Sequence, residues 1–305
     1  MEHVLAQKYP AIEVILVDNA STDGSAEKIC AAHPGVRAIL NKSNLGFAAG
    51  MNQGIAASVG EYVVLLNQDV CLHEEFVAKC VDRIHGGDEI GAIGGRVFAW
   101  VGEELRDELR GGDGELTFLK KRIQGLQGVR SETEAYVFMP TGSFPFVRRK
   151  MLADLYSVSG CYYDEDFGTG WEDIDLFLRM QLRGWRCLFL PQASGWHVGS
   201  GSVGGNDTFL SKKTDYQKRI IRNRLFVIIK DLPAALLLRY CLYLAAAEAA
   251  MLPYLALRAP RSLLAWVRAW RDTLESLPAL LGKRRLIQRA RRVGTGYLAG
   301  MFRGF

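Results

Sequence analysis

The first third of the chain alternates short apolar runs with polar stops. In "AIEVILVDN" (11–19) the run Val14–Val17 ends at Asp18, and in "EYVVLLNQD" (61–69) the run Tyr62–Leu66 ends at Asn67 and Asp69. Short apolar runs rich in β-branched residues and bounded by turn formers predict buried parallel strands. Between them, "STDGSAEKICAAH" (21–33) and "NLGFAAGMNQGIAAS" (44–58) carry helical spacing. Ser21 or Thr22 and Asn44 are the expected caps, since their side chains can take up orphan N–H groups. A weaker strand is expected over Val36–Leu40. Strand, helix, strand, helix, strand predicts a doubly wound, mostly parallel α/β sheet, in which ligands bind beyond the carboxyl ends of the strands. Asp18 and Asp69 both stand at such ends.

Further on come "IGAIGGRVF" (90–98), a polar stretch near 102–134, "YVFMPTGSFPFVRR" (136–149), and "GTGWEDIDLFLRMQLRGWR" (168–186). The last opens with Glu172, Asp173 and Asp175 where a helix should begin, and "RCLFLP" (186–191) reads as a final strand. From about Thr208 the pattern is helical to the end. The expected division is an α/β unit over 1–230 and a helical region over 231–305.

Composition adds two facts. With 49% hydrophobic residues and 23% charged among 305, the chain can bury a large core and is not of the disordered type. The net charge of +5 is unevenly placed: residues 258–305 hold 11 Lys and Arg against 2 Asp and Glu, and the preceding residues hold 27 against 31. A basic end on a mildly acidic body points to an anionic surface. The six cysteines are scattered without metal-type spacing, as in a reducing cytosol, and "MEHVLAQKYP" lacks the apolar segment of a secretion signal.

Each candidate site has a plain structural reading beside the chemical one. "NQD" is a turn at a strand end, or it offers Asp69 as an oxygen ligand for a hard divalent cation, with Asn67 two positions earlier. "DNASTDGS" is a loop, and it also presents Asp18 and Asn19. Gly46 and Gly50 allow close approach of a ligand or close helix packing. Glu172, Asp173 and Asp175 make a well-charged helix start, where unpaired N–H groups tolerate carboxylates, or they supply a general base. Asp175 is expected to face Arg179 at i,i+4. "GSGSVG" (199–204) matches a dinucleotide pattern without the βαβ context that gives it meaning, and is expected to be a loop.

Taken in order, "YPAIEVILVDNASTDGS", "NLGFAAGMNQGI", "LLNQDV", "YYDEDFGTGWEDIDLFLRMQLRGWR" and "WHVGSGS" resemble family 2 glycosyltransferases of the rhamnosyltransferase-like, cell-surface polysaccharide type, over roughly residues 5–230. The resemblance implies a GT-A fold, a nucleotide-diphosphate sugar donor, a divalent metal (Mn²⁺ or Mg²⁺) and inversion at the anomeric carbon. It implies Asp173 as the base; beside it, Glu172 is expected to orient the acceptor or the base, and Trp171 to offer an apolar face to a sugar ring. Donor contacts fall to Asp18, Asn19, Asn44, Gly46, Asn67, Asp69 and Arg222, and metal ligation to Asp69 and His197. Arg222 reads equally as part of a solvated helix face. Asn67 replaces the first acid of the family's D-x-D site, which removes a charge from the cation's surroundings. The family also implies one more strand and most of a helix, about 25 residues, ahead of "VLAQKYP"; without them the "EVILV" edge would be unpaired.

In the tail, Arg239, Glu248 and Pro253 interrupt the apolar stretch 231–257, which disfavours a membrane-spanning helix. "LLAWVRAWRDTLESL" and "GKRRLIQRARR" are expected to lie on an anionic membrane surface, with Trp266 and Trp270 at headgroup depth. Packing on the body or a homodimer interface is the alternative, and nucleic acid is not expected. The sequence thus predicts an enzyme peripheral to the cytoplasmic membrane face, moving a sugar such as rhamnose to a lipid-linked or growing glycan. Its competitors are a processive polysaccharide synthase, which "QLRGW" fits poorly, and a catalytically inactive membrane-associated subunit.

Overall fold

The computed structural model of the chain describes residues 1–110, 114–116, 121–123, 131–198 and 209–303. A short helix α1 (Glu2–Leu5) precedes β1 (Ile15–Asp18), α2 (Ser25–Ala32), β2 (Arg37–Leu40) and α3 (Phe47–Ala57). Next come β3 (Tyr62–Val64), β4 (Val70–Leu72), α4 (Phe76–Ile84), β5 (Ile90–Val101), β6 (Glu104–Arg110) and the short β7 (Gly114–Leu116) and β8 (Lys121–Ile123). The body continues with β9 (Ala135–Val137), β10 (Phe146–Arg148), α5 (Arg149–Ser159), α6 (Glu172–Leu182) and β11 (Arg186–His197). It closes with α7 (Thr214–Asp231), α8 (Ala234–Arg258), α9 (Pro260–Glu275), α10 (Leu277–Arg289), α11 (Thr295–Met301) and β12 (Phe302–Arg303).

The alternation of α and β is as expected, but the sheet is mixed. β1 and β2 pair in parallel as a separate two-stranded sheet. The main sheet runs β3-β10-β5-β11-β4, with β6 beside β5 and β9 beside β11, and only β5 and β11 are parallel in it. β3 is antiparallel to β10. A three-residue apolar strand carries no signal of direction, and its partner Phe146–Arg148 lies far along the chain. The caps also shift. α2 and α3 start after Gly24 and Gly46, both with positive φ, because Asp23 and Asn44 accept hydrogen bonds from the N–H groups of Ser25 and Gly46 in tight turns ahead of each helix.

One face of the main sheet packs against α4 through Phe76, Cys80 and Ile84. The other face carries a larger core built from α3, α5, α6 and α7. α6 is buried almost wholly, with Leu176, Phe177, Met180 and Leu182 sealed from solvent, and this fixes where its first turn points. Leu280 and Ile287 of α10 and Leu298 of α11 lie in that same core. The basic helices also lie on the body: Ala265, Ala269 and Thr273 of α9 are buried, while its Leu264, Val267 and Leu274 stay exposed. Trp266 and Trp270 are half-buried and both donate their indole N–H to Glu248 of α8, which turns them inward rather than to headgroup depth. Of the tail helices, α8 is the least covered; Leu236 and Leu255 alone are buried among its residues.

Candidate active site

α6 begins at an unusual backbone position. Trp171 has φ +73°, one of two non-glycine residues with positive φ among those described, a conformation that costs a side-chain-bearing residue about 1 kcal/mol. The turn before it, Gly168–Gly170, is held from α7: buried Asn223 donates its side-chain amide to the carbonyls of Phe167 and Gly170, and Ile220 fills the space a side chain on Gly170 would need. Nothing in the sequence marks Asn223, an amide set between Arg222 and Arg224. With the turn fixed, Glu172 and Asp173 sit side by side at the helix start.

Their environment separates them from surface acids. Burial, then the charge of Asp173, push the Glu172 carboxyl up to about 8, and one of its oxygens is buried with no hydrogen-bond partner. Burial also raises Asp173, partly offset by the N–H of Ile174 donating to its Oδ1 at 2.8 Å. The pair is thus a shared site that holds one proton more readily than a lone carboxylate would. Asp175 faces away, paired with Arg179 at 2.7 Å and with Lys230 in a buried cluster.

The Asp173 carboxylate lies against Gly142, where any Cβ would collide with it. Gly142 belongs to a strap, Thr141–Ser143, whose hydroxyls bond each other at 2.8 Å. The next carbonyl, of Ser143, accepts the N–H of Asn67 at 2.9 Å. Asn67 and Asp69 are not at the end of a ladder strand as expected: β3 stops at Val64, the chain stays beside 143–145, and a turn at Gln68–Asp69 leads into β4. That turn serves the site. Val70 lies opposite His197 in the β4–β11 ladder, so Asp69 Oδ2 and His197 Nε2 meet at 3.2 Å. The His197 hydrogen bond holds the Asp69 carboxyl below its ordinary value. Asn67 Oδ1 is buried and has no hydrogen-bond partner, an oxygen free to face a cation two residues from the Asp69–His197 pair. Among the described residues no group of three His, Cys, Asp or Glu gathers; the hard donors near this turn are the Asn67 amide oxygen and the Asp69 carboxylate, with the His197 imidazole beside the latter.

The first β–α turns come to the same edge. Asn19 donates to the Gly46 carbonyl at 3.0 Å, Asn44 accepts from the Gly46 N–H, and Asp18 accepts from Ser21. Gly46, at φ +90°, rests on the backbone of Gly168, and the N–H of Ala48 bonds the Gly168 carbonyl at 3.0 Å. The expected donor residues are therefore stitched to the turn that carries the acid pair. Arg222 is engaged elsewhere: it donates to the carbonyls of Asp166 and Phe167 and stacks over Phe226. The loop expected at 199–204 lies outside the described residues.

The sequence model of Glycosyl transferase family 2 matches residues 1–155, half of the chain. A poly-beta-1,6-N-acetyl-D-glucosamine synthase from Staphylococcus aureus (strain COL) is 26% identical over 208 residues, 67% of this chain and 47% of that protein. The glycosyltransferase GlyG of Streptococcus pneumoniae serotype 4 is 35% identical over 98 residues, 31% of this chain and 32% of its own. The chain spans about half the length, or less, of these curated relatives. Among solved structures, S. aureus TarS 1–349 in complex with UDP superposes with a TM-score of 0.54 at 15% identity, covering 95% of this chain and 81% of that one. That likeness is one of fold.

Proposed function

Because the chain belongs to glycosyl transferase family 2 and has the family's GT-A fold, we propose that it transfers a sugar from a nucleoside-diphosphate donor to a lipid-linked or growing glycan at the inner face of the cell membrane. The observation that carries this reading is the link from acid to cation site: Asp173 against Gly142, Ser143 bonded to Asn67, and Asp69 paired with His197. That run of contacts supports a reading in which a proton acceptor and a diphosphate site share one edge, as a single displacement requires.

The acceptor hydroxyl gives its proton to Asp173 as its oxygen bonds to the anomeric carbon, and the bond from that carbon to the diphosphate oxygen breaks on the opposite side, inverting the centre. Glu172, protonated near neutrality, donates a hydrogen bond and leaves Asp173 as the charged member of the pair. Asn67, Asp69 and His197 would hold a divalent ion, which when bound neutralises the departing diphosphate. Asp18, Asn19, Asn44 and Gly46 line the nucleoside side, and Trp171 offers an apolar face to the acceptor ring.

Rhamnose is the sugar that the motif resemblance favours, and N-acetylglucosamine is its rival because of the synthase relative. A non-processive reaction is favoured because Gln181 and Trp185 of "QLRGW" are used internally: Gln181 bonds the carbonyl of Phe138 and the Tyr297 hydroxyl, and Trp185 bonds Asp154. The test is transfer or donor hydrolysis across a panel of nucleotide sugars, comparing wild type with Asp173→Asn. Loss of turnover with donor binding retained supports the reading. Equal turnover in both proteins refutes it and favours an inactive subunit.

A further inference from the structure

α8 is apolar on both sides, yet only one side is used by the body. Inward, Leu236 and Leu255 are buried, and Leu237, Tyr240, Tyr243 and Leu244 pack against the core. The single acid of the helix, Glu248, is also turned inward, where it accepts from Trp266 and Trp270 at 2.8 and 3.1 Å and pairs with Arg224. Outward, Leu238, Leu242 and Leu257 are 77%, 83% and 83% exposed, with Leu252 and Tyr254 beside them and alanines at 245, 246, 249 and 256 between. Single exposed leucines are ordinary, but a line of them along a 25-residue helix is not.

Charge decides what covers this line. From Leu232 to Arg271 the chain holds five arginines and, apart from Glu248, no acid. Arg239 and Arg258 are exposed on α8, and Arg261 and Arg268 on α9. A second copy laid face to face would bring arginines onto arginines, whereas an anionic lipid surface meets both the apolar line and its cationic rim. A spanning arrangement would strip the inner face from the core and pull Glu248 from Arg224 and both indoles.

We propose that the outer face of α8 docks flat on an anionic phospholipid bilayer, with Leu238, Leu242 and Leu257 entering the headgroup boundary and Arg239, Arg258 and Arg261 meeting lipid phosphates. This rests on the membrane-face location proposed above and names the surface that achieves it. The basic helices α9 and α10 are the platform on which α8 is mounted, and Arg261, in the first turn of α9, adds to the cationic rim.

Flotation of the full-length protein with phosphatidylglycerol–phosphatidylcholine vesicles, and with phosphatidylcholine alone, tests the proposal. Wild type should float with the anionic vesicles at least about tenfold more than with the neutral ones, as expected from about 1 kcal/mol for each of several arginines. Leu238→Glu with Leu242→Glu should lower that binding at least about tenfold, with circular dichroism and melting unchanged. UDP, GDP and dTDP titrations run in parallel report on the transferase reading separately: vesicle binding without any nucleotide binding sinks that reading and leaves the docking surface standing. Docking is overturned if wild type floats with neither vesicle, if the double variant floats like wild type, or if carbonate washing fails to release the protein from membranes. It is also overturned if the double variant abolishes a lipid-free dimer and wild type shows no vesicle preference.

Discussion

Replacing Glu172 with glutamine should make the protein more stable at alkaline pH while leaving it nearly unchanged in mild acid. In the folded chain burial, and then the neighbouring Asp173 charge, take the Glu172 carboxyl from an ordinary 4.5 up to about 8. The unfolded chain releases the proton near the ordinary value. Between the two the folded state carries a proton the unfolded state lacks, so stability falls as pH rises through this window. At up to about 1.36 kcal/mol for each pH unit, tapering at the ends of the window where one of the two states is partly ionised, the loss between pH 5 and pH 8 amounts to about 3.5 kcal/mol. The amide of the E172Q variant keeps the shape of the neutral acid and has nothing to ionise. Urea denaturation followed by tryptophan fluorescence, repeated from pH 5 to pH 8, should show the variant and wild type together at the acid end and the variant about 3.5 kcal/mol ahead at the alkaline end. Parallel profiles would mean that Glu172 is already ionised in the folded protein and holds no extra proton.

Three further outcomes are expected. Gly142→Ala forces a methyl group into the Asp173 carboxylate, and steady-state kinetics should show turnover falling about a hundredfold while calorimetric binding of nucleoside diphosphate is kept. His197→Ala leaves Asp69 without its partner at 3.2 Å, and Mn²⁺ titration followed by electron paramagnetic resonance should show affinity lower by at least about tenfold, the loss found even for outer-shell partners. Asn223→Ala deprives the carbonyls of Phe167 and Gly170 of their donor; melting should register a loss of about 2 kcal/mol, and turnover should fall with the loosened turn even where the protein remains folded.

What the sequence disclosed followed from how each signal arises. The acid-rich start of α6 was legible because carboxylates gather where a helix N-terminus is locally positive, and the i,i+4 pairing of Asp175 with Arg179 follows from helix geometry alone. Strand positions near Ile15 and Tyr62 were visible for the same local reason. Partners across the sheet were not: nothing local in "YVV" says that Phe146–Arg148 will run antiparallel beside it. Gly142 and Asn223 were missed because their work is done on Asp173 and on the Phe167–Gly170 turn, both remote from them in sequence. The placement of Asn67 and Asp69 was misjudged by a turn of two residues, yet that turn is what lets Asp69 reach His197. In the tail an amphipathic pattern does not say which surface each side meets: Ala265 and Ala269 of α9 and Leu280 and Ile287 of α10 face the body, while Leu264, Val267 and Leu274 are exposed.

Beneath the acid-bearing turn, Asp164 is bonded both by Lys230 of α7 and by Lys283 of α10, each at 2.6 Å, and Lys283 reaches Asp166 as well at 2.7 Å. Asp175 shares Lys230. The later of these two counter-ions is separated by 119 positions from the carboxylate it neutralises. During synthesis on the ribosome, the region around Asp164 stays electrostatically unfinished until α10 has emerged from the exit tunnel. A nascent or proteolysed chain stopping near residue 230 would keep Lys230 and lack Lys283, so Asp164 would hold one of its two counter-ions until the segment that follows closes over it.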